Sequence, residues 1–255
     1  MPAAQEQKCI VLANGPSLKT SLEKHPDFFK KHPLVCVNTF AASELFTVLK
    51  PSYYVMIDPL FWKRETEAIN ETFKCLAEKT DWTLYLMVPK HAIKEKVFTD
   101  LKKRNSNIQL TPYNYTVFKG FSSIAHWFYK KNLAMPQSSN VTITSLFLSV
   151  NIGYKEVYLV GADHTWHENL HMGEDNVLYN KVTHFYENDT EVKYVRFYKG
   201  SMPENGTQKS YEFFTMWSKT FYGYFVVNDY AKKHNCQIYN ASEVSFIDAF
   251  DRIKL

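Results

Sequence analysis

Four short apolar segments, each with the composition of a buried β-strand, end in a polar residue whose side chain can hold a phosphate or a sugar. The residues that follow the segments are Asn14, Asn38, Asp58 and Asp163. Parallel strands bring their carboxyl ends to one edge of a sheet, and open α/β sheets bind ligands at that edge. The pattern therefore predicts one binding site built from several strand ends.

The loop Asn14-Gly15-Pro16-Ser17 leads from the first segment into a predicted helix. Backbone amides at a helix N-terminus attract phosphate, and Gly15 would let a ligand approach the backbone closely. An ordinary Ser17 N-cap after a tight turn explains the same residues equally well when the loop is taken alone. The repetition of polar residues at Asn38 and Asp58 favours the binding interpretation.

Thr144 and Ser145 stand in the first turns of a predicted buried helix over Val141–Val150, which a strand over Val157–Val160 follows. Hydroxyl groups at that place can hold a phosphate or a ribose. Simple helix capping by Thr142 or Thr144 is the alternative for either residue taken singly.

Titratable side chains are concentrated between Asp163 and His171. A helix here would put four potential zinc ligands on one face, namely His164, His167, Glu168 and His171. A glycine and an asparagine nearby disfavour such a helix, so we expect no metal. We expect instead that one histidine acts as a general acid or base, because imidazole titrates near neutral pH. Solvated loop histidines are the alternative.

His184 stands among aromatic residues in the stretch 164–209, which is polar and interrupted by glycines. We predict that this stretch is a lid or insertion, in which His184 could be a base shielded from water. A half-packed surface histidine is an equally good interpretation. The other histidines show no partner pattern and are predicted to be structural or exposed: His25, His32, His91, His126 and His234.

Length and composition limit the class of protein. The chain has 255 residues, of which 45% are hydrophobic, so it can bury a large core. A formal net charge of +4 without an arginine-rich cluster argues against a nucleic-acid partner. No apolar run reaches the roughly 20 residues of a membrane-spanning helix. The four cysteines are widely spaced, as expected of reduced core residues in a cytoplasmic protein.

Strand and helix patterns alternate through most of the chain, which predicts a Rossmann-like, mostly parallel, doubly wound α/β sheet. We expect one nucleotide-sugar-binding domain over residues 1–255, with 164–209 as its lid. Helices are predicted over His91–Arg104, over Ser210–His234, and after Ser242 through Phe250. The helix over Ser210–His234 is rich in aromatic residues and apolar on nearly all sides, which favours burial and a homo-oligomer interface; a membrane-surface role is the weaker interpretation.

The same motifs resemble those of the bacterial family-42 sialyltransferases. The resemblance rests on Asn14-Gly-Pro-Ser-Leu-Lys19, Asn38, Thr144-Ser145, and the run from Gly153 to Asp163. The wider superfamily shares the Asn-Gly-Pro-Ser-Leu start and includes MptE-like pterin pyrophosphokinases and flagellin-modifying motility accessory proteins. The resemblance implies a GT-A-like Rossmann variant with a lid that orders over a CMP-sugar.

In that family the donor would be held by Asn14, the Gly15–Ser17 loop, Asn38 and Ser145, without a metal or other cofactor. Tyrosine hydroxyls would stabilise the leaving phosphate, and a histidine would deprotonate the acceptor. This chain has Asp58 where the family has asparagine, and Trp217 where the family has its catalytic histidine. We therefore expect His184, or next His164, to be the base, and Asp163 to orient the site.

The resulting expectation is an inverting glycosyltransferase of bacterial lipopolysaccharide-type surface-glycan biosynthesis. It would transfer sialic acid or a related acidic sugar from a CMP-sugar to a glycan or glycolipid acceptor. It would be cytoplasmic, with a peripheral position at the inner face of the membrane. Two alternatives stay open: a magnesium-dependent pyrophosphokinase of the MptE-like type with Asp58 and Asp163 as metal ligands, and an inactive nucleotide-sugar-binding protein.

Overall fold

A computed structural model of the chain describes residues 3–4, 6–182, 193–201 and 203–255. The strands are β1 (Lys8–Leu12), β2 (Leu34–Val37), β3 (Tyr53–Val55), β4 (Leu84–Pro89), β5 (Ile108–Tyr113), β6 (Glu156–Val160), β7 (Leu170–Met172), β8 (Leu178–Val182), β9 (Lys193–Arg196), β10 (Gln237–Asn240) and β11 (Asp251–Arg252). The α-helices are α1 (Ser17–Lys24), α2 (Pro26–Lys31), α3 (Leu45–Leu49), α4 (Leu60–Lys63), α5 (Glu67–Lys79), α6 (Lys96–Arg104), α7 (Ser122–Lys130), α8 (Val141–Ile152) and α9 (Ser210–Lys233).

Eight strands form one parallel sheet in the order β11-β10-β6-β1-β2-β3-β4-β5. The chain leaves β1 toward β2 and β5, and then returns to place β6 on the other side of β1. The order therefore reverses between β1 and β6, which is the position where open α/β sheets form a binding crevice. The predicted Rossmann-like, mostly parallel sheet is confirmed.

Apolar side chains cover both faces of the central strands. In β1 the residues from Cys9 to Leu12 are fully buried, and the residues of β2 and those from Val157 to Val160 in β6 are almost as completely buried. Helix α8 is buried along nearly its whole length and packs on β1, β2, β3 and β6. Continuous apolar runs of this kind are typical of parallel strands that helices cover on both sides.

Side-chain caps set where two of the helices begin. Thr66 Oγ1 accepts a hydrogen bond from Ile69 N at 3.3 Å and starts α5. Asn140 Oδ1 accepts from Ile143 N at 2.9 Å and starts α8. The sequence-based alternative of capping by Thr142 or Thr144 is therefore wrong, because the cap lies upstream of both.

Two predicted helices differ from the structure. No helix follows Ser242, where the Asn240 side chain donates to Ile247 O at 3.2 Å and Ser245 Oγ accepts from Ile247 N at 3.2 Å. These side chains bond the backbone groups that a helix would have paired. The helix predicted from His91 begins only at Lys96, after a series of turns.

The chain divides into two compact units, Met1–Asp163 with Tyr222–Leu255, and His164–Phe221. The second unit contains the antiparallel sheet β7-β8-β9 and a small apolar cluster of Leu178, Phe213 and Trp217. A single domain over residues 1–255 with a lid over 164–209 stays a prediction. In the part of the chain that the structure describes, no helix has the length and apolar character to cross a membrane.

Candidate active site at the carboxyl edge of the sheet

Five polar residues follow the carboxyl ends of β1 to β5 and share one edge of the sheet. In strand order they are Asn14, Asn38, Asp58, His91 and Tyr115. Neighbouring parallel strands lie about 4.8 Å apart, so the ends of β1 and β4 are separated by about 14 Å. This edge is long enough for a nucleotide and the group that it activates to lie side by side.

Asn14 and Asn38 bring amide side chains to the ends of the first two strands. Asn14 is exposed, and its Nδ2 donates to Val37 O at 3.4 Å, so it bridges the ends of β1 and β2. Asn38 has φ 53°, a left-handed conformation that asparagine tolerates better than most residues. Among the described residues, no hydrogen bond involves the Asn38 side chain, which leaves its amide available to a ligand.

Two buried tyrosines hold the backbone of these strand ends in place. Tyr54 Oη donates to Asn38 O at 2.6 Å and accepts from Ala41 N at 2.8 Å. Tyr113 Oη donates to Met56 O at 3.0 Å, one residue beyond the end of β3. Burial raises the pKa of both phenols, so both stay protonated and keep donating at neutral pH.

A cavity of about 350 Å³ opens beside the ends of β4 and β5, and it is lined by Lys90, His91, Asn114, Tyr115 and Thr116. The ring centroids of His91 and Tyr115 are 6.2 Å apart. Burial raises the pKa of Tyr115, and the nearby charge of Asp58 raises it further. The cavity therefore brings together a cation, an imidazole and a protonated phenol, which can bind an anion and exchange protons.

At the position where the strand order reverses, the loop after β1 and the loop after β6 are hydrogen-bonded to each other. Gly15 N donates to Gly161 O at 2.8 Å, and a Cβ on Gly15 would lie 2.4 Å from that oxygen. Ser17 donates twice to Asp163, from N to Oδ2 at 3.0 Å and from Oγ to Oδ1 at 2.5 Å. Pro16, with φ −53°, is already helical in backbone conformation ahead of α1. The Asp163 carboxylate thus stabilises the N-terminus of α1, where the sequence predicted a phosphate.

The residues that follow β10 form hydrogen bonds with other parts of the protein. Ser242 Oγ accepts from Ala162 N at 3.0 Å, and Ser245 Oγ donates to Ala162 O at 2.7 Å. Asn240 and Ser242 are almost wholly buried. The segments after β6 and β10 are therefore hydrogen-bonded to each other. The exposed polar side chains lie instead after β1 to β5.

A family model described as 6-hydroxymethylpterin diphosphokinase MptE-like matches residues 2–169, which include every strand end from β1 to β6. The chain belongs to the MptE-like family. Assignment to the wider superfamily that shares the Asn-Gly-Pro-Ser-Leu start is thereby confirmed. Closer kinship of this MptE-like chain with the family-42 sialyltransferases stays a prediction.

The fold of this MptE-like chain is similar to a solved structure described as MAf glycosyltransferase from Magnetospirillum magneticum AMB-1. The TM-score is 0.52 at 12% sequence identity, over 98% of this chain and 34% of the other. The chain thus spans about a third of that protein's length, and at this identity the likeness shows a shared fold. No curated protein matches the chain.

Thr144 and Ser145 are fully buried near the start of α8 in the MptE-like chain. The Ser145 hydroxyl donates to Val141 O at 2.9 Å, and the hydroxyls of Thr144 and Ser138 lie 2.7 Å apart. The structure gives both hydroxyls partners inside the protein. Their assignment to nucleotide binding stays a prediction.

His164 has φ 53° and is 8% exposed. Its ring stacks on Trp166 with centroids 4.2 Å apart. Burial lowers the pKa of His164 to about 4, so the imidazole is neutral at pH 7 and a weaker base than an exposed imidazole. The assignment of His164 as the second-choice base stays a prediction.

The helix that would align the histidine cluster does not form. Residues Trp166–Asn169 make one 3₁₀ turn, and Leu170–Met172 make strand β7, which has a different side-chain period. In the described ranges, no three His, Cys, Asp or Glu side chains group as metal ligands. His184, predicted to be the first-choice base, lies outside the described residues.

Sequence reasoning missed His91 and Tyr115. His91 lies in the predicted helix His91–Arg104, although it follows β4 by two residues, and Tyr115 follows strand β5, which extends to Tyr113. Pro112 interrupts the strand pattern, but β5 is the edge strand of the sheet, where a proline is tolerated. The signal that could have found them is the Lys90-His91 pair directly after an apolar run.

Proposed function

We propose that the chain is a nucleotide-dependent transferase whose donor lies along the sheet edge from Asn14 to Tyr115, and that it transfers an acidic sugar from a CMP-sugar. The family description names a diphosphokinase, and the structural neighbour is named a glycosyltransferase. Both names describe transfer reactions. The observation that carries the proposal is the row of polar side chains at the carboxyl ends of β1 to β5.

The amides of Asn14 and Asn38 suit an uncharged portion of the donor. An amide both donates and accepts, so it can pair with sugar hydroxyls or a cytosine ring as well as with phosphate oxygens. Lys90 supplies a positive charge at the other end of the edge, where it would stabilise charge on the departing phosphate.

The proposed reaction forms a bond between an acceptor hydroxyl oxygen and the anomeric carbon. The bond from that carbon to the CMP phosphate oxygen breaks, and CMP leaves with the electron pair. The hydroxyl proton passes to a histidine. His91, exposed in the cavity at this edge, joins His184 as a candidate for that base.

Diphosphate transfer from ATP to a hydroxymethyl pterin-type alcohol is the second candidate, because the family description names that chemistry. Such reactions use magnesium, for which the sequence offered Asp58 and Asp163. Strands β6 and β3 are separated by β1 and β2, so these two strand ends lie about 14 Å apart. The two carboxylates cannot share one ion at magnesium–oxygen distances of about 2.1 Å, and both oxygens of Asp163 already bond Ser17.

A thermal-shift panel of CMP, CDP, UDP, GDP and ATP, each with and without magnesium, tests the proposal. We expect CMP and CDP to stabilise the protein without metal. Asn38→Gly should abolish that shift, because glycine keeps the left-handed backbone and removes only the amide. Asn235→Gly is the matched control, since Asn235 is exposed and also has φ 53°.

Three outcomes would contradict the CMP-sugar assignment. A shift with ATP that requires magnesium would favour diphosphate transfer. A CMP shift without CMP release from any CMP-sugar and acceptor would favour an inactive binding protein. A CMP shift that survives in Asn38→Gly would place the nucleotide elsewhere on the molecule.

A further inference from the structure

Helix α7 presents an apolar face outward, which is the reverse of an ordinary surface helix. Phe121, just before the helix, is 82% exposed, and Ile124 and Trp127 are 48% and 55% exposed. These residues recur every three positions and therefore share one face. The opposite face, with His126 and Tyr129, is buried.

The apolar face continues into the segments on either side of α7. Val117 and Leu133 are 43% and 48% exposed. Phe128 packs against Phe118 and Trp127, with ring centroids 4.9 Å and 5.0 Å apart. A contiguous exposed apolar area of this kind marks an interaction surface. We call this area the α7 surface, made of Val117, Phe121, Ile124, Trp127 and Leu133.

Three lysines flank the residues of the α7 surface along the chain. Lys119, Lys130 and Lys131 are all exposed beside it. The sequence has no Asp or Glu between Asp100 and Glu156. The nearest acidic side chain with a described contact to α7 is Asp229, which lies 3.5 Å from Nε2 of His126 on the buried face.

We propose that the α7 surface docks on an anionic lipid bilayer. Tryptophan and phenylalanine favour the boundary between headgroups and acyl chains, and flanking lysines are attracted to anionic headgroups. A second copy of the chain fits less well, because a symmetric contact would bring the lysines of both copies together. This proposal is independent of the proposed function, since it uses no residue of the sheet edge.

Co-sedimentation of the whole chain with vesicles tests the proposal, using phosphatidylcholine alone or mixed with phosphatidylglycerol. We expect binding to the mixed vesicles only, and weaker binding at about 0.5 M salt than at about 0.1 M, because salt screens the lysines. Replacing Lys119, Lys130 and Lys131 by glutamine should weaken binding about 100-fold, at roughly five-fold for each lysine. Replacing Lys74, Lys102 and Lys103 by glutamine is the control for net charge and should leave binding unchanged.

Phe121→Ser and Trp127→Ser test the apolar part of the α7 surface, and we expect each to lower vesicle affinity at least about ten-fold. Tyr211→Ser is the matched control, because Tyr211 is a 70% exposed aromatic residue outside the α7 surface. Circular dichroism checks that each variant is folded.

Three results would overturn the proposal. The first is a wild-type chain that stays in solution with the mixed vesicles. The second is equal binding by the wild type and the α7 variants. The third is a dimer in sedimentation velocity that Trp127→Ser dissociates, since this would assign the α7 surface to a second copy.

Discussion

Asp163 was predicted to contact the ligand or orient the site, and the structure shows it bound to Ser17 at the N-terminus of α1. A carboxylate at that position accepts charge-assisted hydrogen bonds and interacts favourably with the helix dipole. It joins the loop after β1 to the loop after β6. Stability and ligand binding can therefore be separated at this residue by experiment.

Replacing Asp163 by asparagine should lower the free energy of unfolding by about 1–3 kcal/mol, because the charge is lost and one buried donor of Ser17 loses its acceptor. Urea denaturation measures the change. Asp248→Asn is the control, since Asp248 is exposed. Equal stability of the two variants, with weaker nucleotide binding by Asp163→Asn alone, would make Asp163 a ligand-binding residue instead.

His164 should make stability depend on pH, because burial lowers its pKa to about 4 in the folded protein. The unfolded chain takes up this proton near pH 6.5, whereas the folded chain resists protonation. The free energy of unfolding is therefore highest above about pH 6.5. It falls by on the order of 3 kcal/mol as the pH falls toward 4, because protons bind preferentially to the unfolded chain.

His164→Asn should flatten this part of the pH profile, because asparagine tolerates the left-handed backbone and does not titrate. Urea denaturation at several pH values between about 4 and 7 measures the effect. His171→Asn is the control within the same cluster. A profile of His164→Asn that keeps the wild-type slope would show that another group causes it.

Residue types after apolar runs were enough to predict Asn14, Asn38 and Asp58 at one edge, because parallel strands leave no other place for them. The partners of buried polar groups were not predictable in the same way. Ser17 and Asp163 are 146 positions apart, and nothing local to either residue indicates the bond between them.

At the scale of elements, continuous apolar runs predicted the central strands to within one or two residues, because both faces of those strands are buried. The final helix was wrong because Asn240 and Ser245 pair with backbone atoms at longer range. The N-cap of α8 was also misplaced, because the cap residue Asn140 precedes the apolar run that marks the helix.

Gly223 lies in the middle of α9, where alanine ordinarily raises stability by about 1 kcal/mol. Here a Cβ would lie 2.8 Å from Ile143 Cδ1 and 3.2 Å from Gln137 O. Ile143 is fully buried, so it has little room to move. We expect Gly223→Ala to lower the free energy of unfolding by about 1 kcal/mol, because overpacking outweighs helix propensity.

Denaturant unfolding measures the free energy of unfolding of Gly223→Ala. Asn70→Ala is the comparison, because Asn70 is exposed in α5 and this replacement should make the protein slightly more stable. A stability gain in both variants would mean that the contact between α9 and α8 is looser than the structure shows.

For the whole molecule, the two compact units have cores of very different size. The second unit's described core consists of Leu178, Phe213 and Trp217, whereas the large sheet is covered on both faces. Local opening is easiest where few apolar groups are buried. The three strands β7, β8 and β9 should therefore open more often than the central strands.

We expect backbone amides in the described parts of β7, β8 and β9 to exchange with solvent at least about 100-fold faster than those of β1, β2 and β6. Hydrogen–deuterium exchange with mass spectrometry measures the difference, with α5 as an internal reference from the first unit. Comparable protection in both sheets would show that the second unit is as stable as the first.

The bond between Ser17 and Asp163 also has a consequence for how the chain is made. The two residues are 146 positions apart, and at about 5–20 residues per second the ribosome delivers Asp163 roughly 7–30 s after Ser17. During that interval β1 can pair with β2, while its other edge waits for β6. Strand β1 thus keeps one edge unpaired through this part of synthesis, and a chaperone that binds nascent chains should contact it there.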